Sequence, residues 1–324
     1  MRWVIVGGGA VGGVVGGRLA ASGHDVVLVA RGAHLDAIRA GGLRLHSPEG
    51  RQTLRLPAVG AVTEHEWRPG DIAVLAVKGM DTPDVLRPLA AVAPPQTPVV
   101  CLQNGVANER AALRSFANVY GVHVMLPASH LAPGVVVAHS APTPGGLDLG
   151  RYPGGLDDTA ERLAAGLRAA GFASDARGDI MRWKHAKLLL NLGNAIQALC
   201  GPGADGIDKI DELLREEGTA VLRAAGIDVA TPEEDAARRK GLLHIQPVEG
   251  TPRGGGSSWQ SLERGTGTVE ADYLNGEIVL QARLHGMEAP VNELARQLVN
   301  RAARAGARPG SLTPDEFMAM LSRF

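Results

Sequence analysis

MRWVIVGGGAVGG, residues 1–13, opens with a short apolar run, Trp3-Val4-Ile5-Val6, whose β-branched members suit a strand buried on both faces. Gly7, Gly9 and Gly12 follow at G-x-G-x-x-G spacing, and residues 14–21 can run on as a helix. Each glycine has a physical task. The first permits a tight turn, the second lets backbone approach a pyrophosphate, and the third allows close packing of helix on strand. Backbone N–H groups at the helix start then face the phosphates, helped by the helix dipole. The motif alone is weak evidence in a glycine-rich chain. Its place after a strand and before a helix is the context that makes it a dinucleotide site.

Working outward, residues 26–30 form a second strand that ends in Arg31, nineteen positions after Gly12. An NAD site usually places Asp or Glu about 20 residues past the glycine turn to bind the ribose 2′-hydroxyl. Here no carboxylate stands beside the strand end. A guanidinium suits a 2′-phosphate by charge and by its forked donors, so NADPH is favoured over NADH. The alternative is a solvated surface arginine.

Residues 35–40 read as a short helix, and residues 42–46 and 53–56 as a hairpin around Ser47-Pro48-Glu49-Gly50. Residues 71–77 and 99–102 are further buried strands, ending at Lys78 and at Gln103-Asn104-Gly105. Ligands of an open parallel sheet lie beyond the carboxyl ends of its strands, which places Arg31, Lys78 and Asn104 where cofactor or substrate belongs. Residues 119–125, 135–138 and 147–149 are more strand candidates, the last an edge strand, and residues 159–170 read as a helix over the sheet. Near residue 175 the strand-like runs stop and helical periodicity takes over. This predicts two domains, 1–175 and 176–324.

In the second half, residues 180–199 read as one helix, with Leu188, Leu192, Ala195 and Leu199 on an apolar face and Lys187, Asn191 and Asn194 on a neighbouring one. Polar rows on helices are commonly solvated surface. This helix is apolar over much of its circumference, so its ammonium and amide groups need partners or a wet cleft. Residues 208–225 and 232–243 read as amphipathic scaffold helices. A Pro/Gly-rich loop, residues 250–256, leads to Ser257-Ser258. Helices are expected over residues 270–285, with an interruption at Asn275-Gly276, over 290–305, and in the tail after Thr313.

Composition limits the alternatives. A chain of 324 residues is long for one domain, and 45% hydrophobic residues with mixed charge describes a soluble globular protein. A net charge of −1 leaves no electrostatic footprint for nucleic acid. Two cysteines make no disulfide framework, and no histidine or cysteine cluster has metal-ligand spacing. No segment approaches the ~18 uninterrupted apolar residues of a membrane span. The cytoplasm is the expected compartment. A homodimer is the default assembly, with no segment marking an interface.

The order and spacing of these motifs resemble the ketopantoate reductase (2-dehydropantoate 2-reductase) family over nearly the full length. GGGAVG, the strand ending in Arg31, VKGMDT around Lys78 and QNG around Asn104 match in order, as do the segment from Trp183 to Asn191, Ser257-Ser258 and VEADYLNGEIV around Glu270. The resemblance implies a Rossmann-type domain followed by an all-α domain, with the active site in the cleft between them, and NADPH-dependent reduction of a 2-keto acid. It implies that Gly7, Gly8, Gly9, Ala10, Val11 and Gly12 hold the pyrophosphate, with Arg31 and Lys78 near the 2′-phosphate. Asn104 then lies near the nicotinamide ribose and substrate, Lys187 donates the proton, and Asn191 and Ser258 bind substrate. Glu270 is a partner on the cofactor side.

The chemistry agrees with those roles, since hydride addition turns a carbonyl oxygen into an alkoxide that needs positive charge and a proton. Lys184, one turn earlier, is the rival donor, and a helix N-cap is the plain alternative for Ser258. Two departures stand out. The family's second asparagine falls at Ala195, whereas this chain has Asn194, and Trp259 follows the serine pair. The first moves the helical phase by one residue at the contact to the substrate hydroxyl; the second changes pocket volume, so a different 2-keto acid is the alternative substrate. The competing readings are a β-hydroxyacid dehydrogenase and a non-catalytic NADPH-binding regulator.

Overall fold

In the computed structural model, which describes residues 1–130, 132–250 and 254–324, β1 (Arg2–Val6) is an interior strand of a mostly parallel sheet. It pairs in parallel with β2 (Asp25–Val29) on one side and β6 (Asp71–Leu75) on the other. Helix α1 (Ala10–Ala21) connects β1 to β2, and α2 (Gly32–Gly41) follows β2. Period-two alternation explains the apolar run of β1. Trp3 and Ile5 enter the core on one face, with Leu28, Val74 and Leu163, while Val4 and Val6 enter the other, with Ala73, Leu75 and Phe116.

Next in the chain come β3 (Leu43–Ser47), β4 (Gly50–Leu54) and β5 (Ala58–Val59), then α3 (Thr82–Val92), β7 (Val99–Cys101), α4 (Asn108–Leu113) and β8 (Val119–Met125). The first unit continues through β9 (Ala128–Ser129), β10 (Val135–Ala138), β11 (Gly146–Arg151) and α5 (Asp158–Ala169). The main sheet has seven strands in the order β11-β8-β7-β6-β1-β2-β5, with β11 antiparallel to β8 at the edge. Its parallel part follows the doubly wound order, which reverses at β1, between β2 and β6.

The hairpin β3–β4 stands apart from this sheet. It joins β10, parallel to β3, and β9 in a four-stranded sheet that packs on α1. Leu43 and Leu45 drive this placement, both buried in the core that α1 shares.

The helical part comprises α6 (Ile180–Asn191), α7 (Asn194–Cys200), α8 (Ile207–Ala224), α9 (Pro232–Arg239), α10 (Ser257–Glu263), α11 (Asn275–Leu284), α12 (Pro290–Arg304) and α13 (Pro314–Leu321). The chain divides into two compact units, residues 1–184 with 232–253, and residues 185–231 with 254–324. This differs from a single break near residue 175. The division falls inside α6, and α9 belongs with the sheet rather than with the other helices.

Charge explains the placement of α9, which has no buried residue. Arg238 donates through Nε and Nη2 to the two carboxylate oxygens of Asp148 on β11, at 2.7 and 2.6 Å. Arg182 makes a similar fork to Glu234 at 2.9 and 2.6 Å. Burial by itself pushes the Asp148 carboxyl up. The fork from Arg238, the Asp175 N–H and the charges of Arg238 and Arg177 outweigh it and hold the group below the usual carboxylate range.

The helix expected over residues 180–199 is two helices, α6 and α7, interrupted at Leu192-Gly193. A side chain at Gly193 would collide with the Asp211 carboxylate of α8, so glycine is needed where these segments meet. The Leu192 carbonyl at the break accepts from Asn275 Nδ2 at 3.1 Å. Asn275 also donates to Asn292, whose own amide donates to Leu214 O and to Glu217. The network thereby satisfies the Leu192 carbonyl, which the break would otherwise orphan. Residues 270–285 are likewise two pieces, a 3₁₀ turn over Glu270–Tyr273 and then α11. The tail helix α13 starts with a capping box between Thr313 and Glu316. No helix among the described residues is long and apolar enough to cross a membrane.

Candidate functional site

The first cluster forms at the carboxyl ends of the parallel strands. After β1 the chain turns at Gly7, whose φ of +113° lies in the region that favours glycine, and whose N–H, like that of Gly8, donates to Val29 O. A side chain at Gly12 would collide with Gly7 O and Ala76, so the third glycine lets α1 press onto the end of β6. At Gly9 an added Cβ meets nothing within 4 Å. Helix α1 begins at Ala10, earlier than residue 14, with Gly9 as an N-cap that has no side chain to satisfy the first-turn N–H groups. First-turn donors from Ala10, Val11 and Gly12, at the positive end of a helix whose N-cap Gly9 faces open space, fit a pyrophosphate.

Arg31 is the N-cap of α2, and its side chain is 80% exposed. Its Nη2 lies 3.7 Å from Asp81 Oδ2, in the 3₁₀ turn Gly79–Asp81 that Lys78 caps. The fold thus brings the segments of Arg31 and Lys78 together, although they lie far apart in sequence. An exposed ion pair at this distance is weak and yields readily to a more highly charged anion.

After β7 comes Gln103-Asn104-Gly105, held by a buried polar network. Gln103 Nε2 donates to Val77 O at 2.8 Å and to Thr82 Oγ1 at 2.9 Å. Thr82 donates to Asn108 Oδ1 at 2.8 Å, and Asn108 Nδ2 donates to the Asn104 carbonyl at 3.3 Å. The Asn104 side chain is left half-buried at the strand end.

Lys184 belongs to this same cluster. Its Nζ donates to Gln103 O at 2.8 Å and to Val122 O at 3.2 Å, and pairs with Glu109 Oε1 at 2.7 Å. The two side chains are 2% and 0% exposed. The ammonium is committed to the protein interior, which removes Lys184 as the rival proton donor. No sequence signal marks this bond, because Glu109 is 75 positions away and reads only as an acidic first-turn residue of α4.

The second cluster belongs to the helical unit. Lys187 and Asn191 are one turn apart on α6, on one face, with Lys187 half-buried and Asn191 5% exposed. The Asn191 Nδ2 is buried and has no hydrogen-bond partner among the described residues. Asn194 begins α7 and makes a long contact, 3.5 Å, to Ser257 Oγ, while Gln197 of α7 accepts from the Gly256 N–H at 2.7 Å. Asn194 therefore borders the serine pair, whereas Ala195 is in the core at 1% exposure.

Ser258 is 3% exposed in the first turn of α10, whose N-cap is Gly256, so the capping alternative does not apply to it. Side chains at Gly254 or Gly255 would run into the Trp259 ring, so the glycines before the serine pair make room for the tryptophan. Glu270 is half-buried at the start of its 3₁₀ turn. The loop predicted over residues 250–256 includes 251–253, which lie outside the described residues.

A doubly wound sheet with a glycine turn at the carboxyl end of its first strand, joined to an all-helical unit, defines a Rossmann-type two-domain protein. The family described as Ketopantoate reductase PanE/ApbA matches residues 3–154, and its C-terminal counterpart matches residues 179–303. The chain is 32% identical to a 2-dehydropantoate 2-reductase of Pyrococcus horikoshii, over 92% of this chain and 96% of that one. It is 30% identical to the protein of the same name from Halobacterium salinarum, over 94% and 100%.

Among solved structures, a PanE/ApbA family ketopantoate reductase from Ralstonia eutropha has a TM-score of 0.77 at 29% identity, covering 94% of this chain and 99% of that one. A D-mandelate dehydrogenase solved with NADH and anilino(oxo)acetate shares the fold, with a TM-score of 0.80 at 23% identity and the same coverage. The chain belongs to the PanE/ApbA ketopantoate reductase family.

Proposed function

We propose that this chain is an NADPH-dependent oxidoreductase that reduces a 2-keto acid to a 2-hydroxy acid, and that its substrate is 2-dehydropantoate (ketopantoate), giving pantoate. The names of the relatives at about 30% identity support this reading. The observation that carries it is the buried Asn191 Nδ2, which lacks an acceptor among the described residues. A buried donor without a partner costs roughly 1–3 kcal/mol. A substrate oxygen would remove that cost.

In this reading the turn from Gly7 to Gly12 holds the pyrophosphate, and Arg31 with Lys78 holds the 2′-phosphate. The bound cofactor supplies the hydride that adds to the keto carbon. Lys187 carries the proton, places positive charge beside the carbonyl oxygen as alkoxide character develops, and protonates it. Asn191 and Asn194 orient the keto acid, Ser258 binds its carboxylate, and Asn104 bears on the nicotinamide ribose and substrate. Glu270 acts on the cofactor side.

The test is NADPH oxidation followed with ketopantoate beside a panel of branched 2-keto acids, repeated with NADH. The highest kcat/KM is expected for ketopantoate with NADPH. A different preferred acid would overturn the substrate assignment and leave the reaction class standing. Bound NADPH without turnover on any acid would favour the regulator.

A further inference from the structure

The glycine turn is gripped from the side by an imidazole. His34, in the first turn of α2, has Nε2 2.7 Å from the Gly8 carbonyl and Nδ1 2.9 Å from the Gly134 N–H. A carbonyl oxygen only accepts and a backbone N–H only donates. The two partners together admit a single form of the ring, neutral with the proton on Nε2.

The surroundings favour that form. Burial, and then the His130 ring at a centroid distance of 4.2 Å, push His34 below the usual histidine value, against the smaller opposing pull of the Gly8 bond. The Gly134 turn is itself pressed onto α2, since a side chain there would meet Ala37.

The consequence lies in the Gly8–Gly9 peptide. Its carbonyl points at His34, and because the peptide unit is planar and trans, the Gly9 N–H points the opposite way. The Gly8 N–H is already spent on Val29 O. Gly8 is thus tied at both its N–H and its C=O, next to Gly9, where an added Cβ meets only open space.

We propose that His34 is a positioning residue for dinucleotide binding, holding the Gly8 carbonyl back so that the turn keeps its donors aimed at the pyrophosphate. This rests on the reading of residues 7–12 as the cofactor turn. His34 acts through the backbone and touches no reacting atom.

The experiment compares the full-length protein with His34→Phe, His34→Met and His34→Gln by calorimetric titration with NADPH and by steady-state kinetics. Phe and Met both remove the donor but differ in shape, so a folding failure of one leaves the other to be read. Each should raise the NADPH Kd about tenfold, the scale of one lost hydrogen bond. The rise should appear in KM for NADPH and not in kcat at saturating cofactor. Gln keeps an N–H that can reach the Gly8 carbonyl and should recover most of the affinity.

Wild-type affinity in the Phe or Met variant overturns the inference. So does an equal loss in all three, which would mark His34 as packing alone. A wild-type protein that binds neither NADPH nor NADH would overturn the cofactor reading and this inference with it, a result distinct from the other two because it precedes any substitution.

Discussion

Lys184 and Glu109 form a buried ion pair, Nζ to Oε1 at 2.7 Å, with neither side chain more than 2% exposed. The carboxylate oxygens accept no conventional hydrogen bond among the described residues, so the ammonium is their charge compensation. That ammonium also holds the carbonyls of Gln103 and Val122. Within the first unit the pair ties the start of α6 to α4, to the segment after β7 and to the middle of β8, and the Gln103 carbonyl it holds is the one immediately before Asn104.

Removing one partner strands the other's charge in the interior. Lys184→Met and Glu109→Leu should each destabilise the fold by roughly 3–5 kcal/mol, and the double variant should recover much of that loss. Urea denaturation of the four proteins decides the matter. Additive losses in the double variant would mean that the pair is not coupled.

Lys187→Ala should lower kcat by two to four orders of magnitude, on the scale of general acid catalysis, while the NADPH Kd stays near the wild-type value. Calorimetry and single-turnover kinetics separate the two effects. Undiminished turnover would remove Lys187 from the proton-donor role, and Lys184, committed to Glu109, would not replace it.

Arg31→Glu should raise the Kd for NADPH by at least about tenfold and leave NADH within about twofold, because only NADPH carries the 2′-phosphate. Equal losses for the two cofactors would take Arg31 out of phosphate recognition.

Asp148 makes stability depend on pH. Its carboxyl is held below the usual value of 3.8 in the folded protein, so the stabilisation it provides is complete above that value. It is lost as the pH falls through the lower folded value, when the unfolded chain takes up the proton first. Urea midpoints measured from pH 7 to pH 3 should fall at the acid end, and Asp148→Asn should be weaker at pH 7 with a shallower acid decline. Parallel pH profiles for the two proteins would exclude Asp148 as a source of that decline.

Much of the sheet was legible in the chain because buried parallel strands are written as continuous apolar runs. Residues 119–125 and 135–138 are strands with those limits, and β1, β2, β6 and β7 differ from expectation by one or two residues. Breaks within helices were harder to read. Leu192-Gly193 sits inside a pattern that supports one long helix, and the break depends on Asp211, Asn275 and the packing of α8, all distant in sequence. The polar surface of α9 reads equally well against either unit, and the two arginine forks, Arg238 onto buried Asp148 and Arg182 onto Glu234, assign it to the first unit.

By itself the sequence determined the doubly wound order's starting strand, the glycine turn, the strand-end positions of Arg31, Lys78 and Asn104, and the shared helical face of Lys187 and Asn191. These follow from periodicity and spacing over a few residues, where chain connectivity dictates geometry. The tertiary structure alone decided that β3 pairs with β10, that Lys184 is spent on Glu109, that Asn191 keeps a buried donor without an acceptor among the described residues, and that His34 grips Gly8. Each of these depends on groups brought together from distant parts of the chain, or on the absence of such a group. A hydrogen bond or ion pair between such groups leaves no local pattern to read, since its partners are chosen by packing and by the cost of leaving a buried polar atom unpaired.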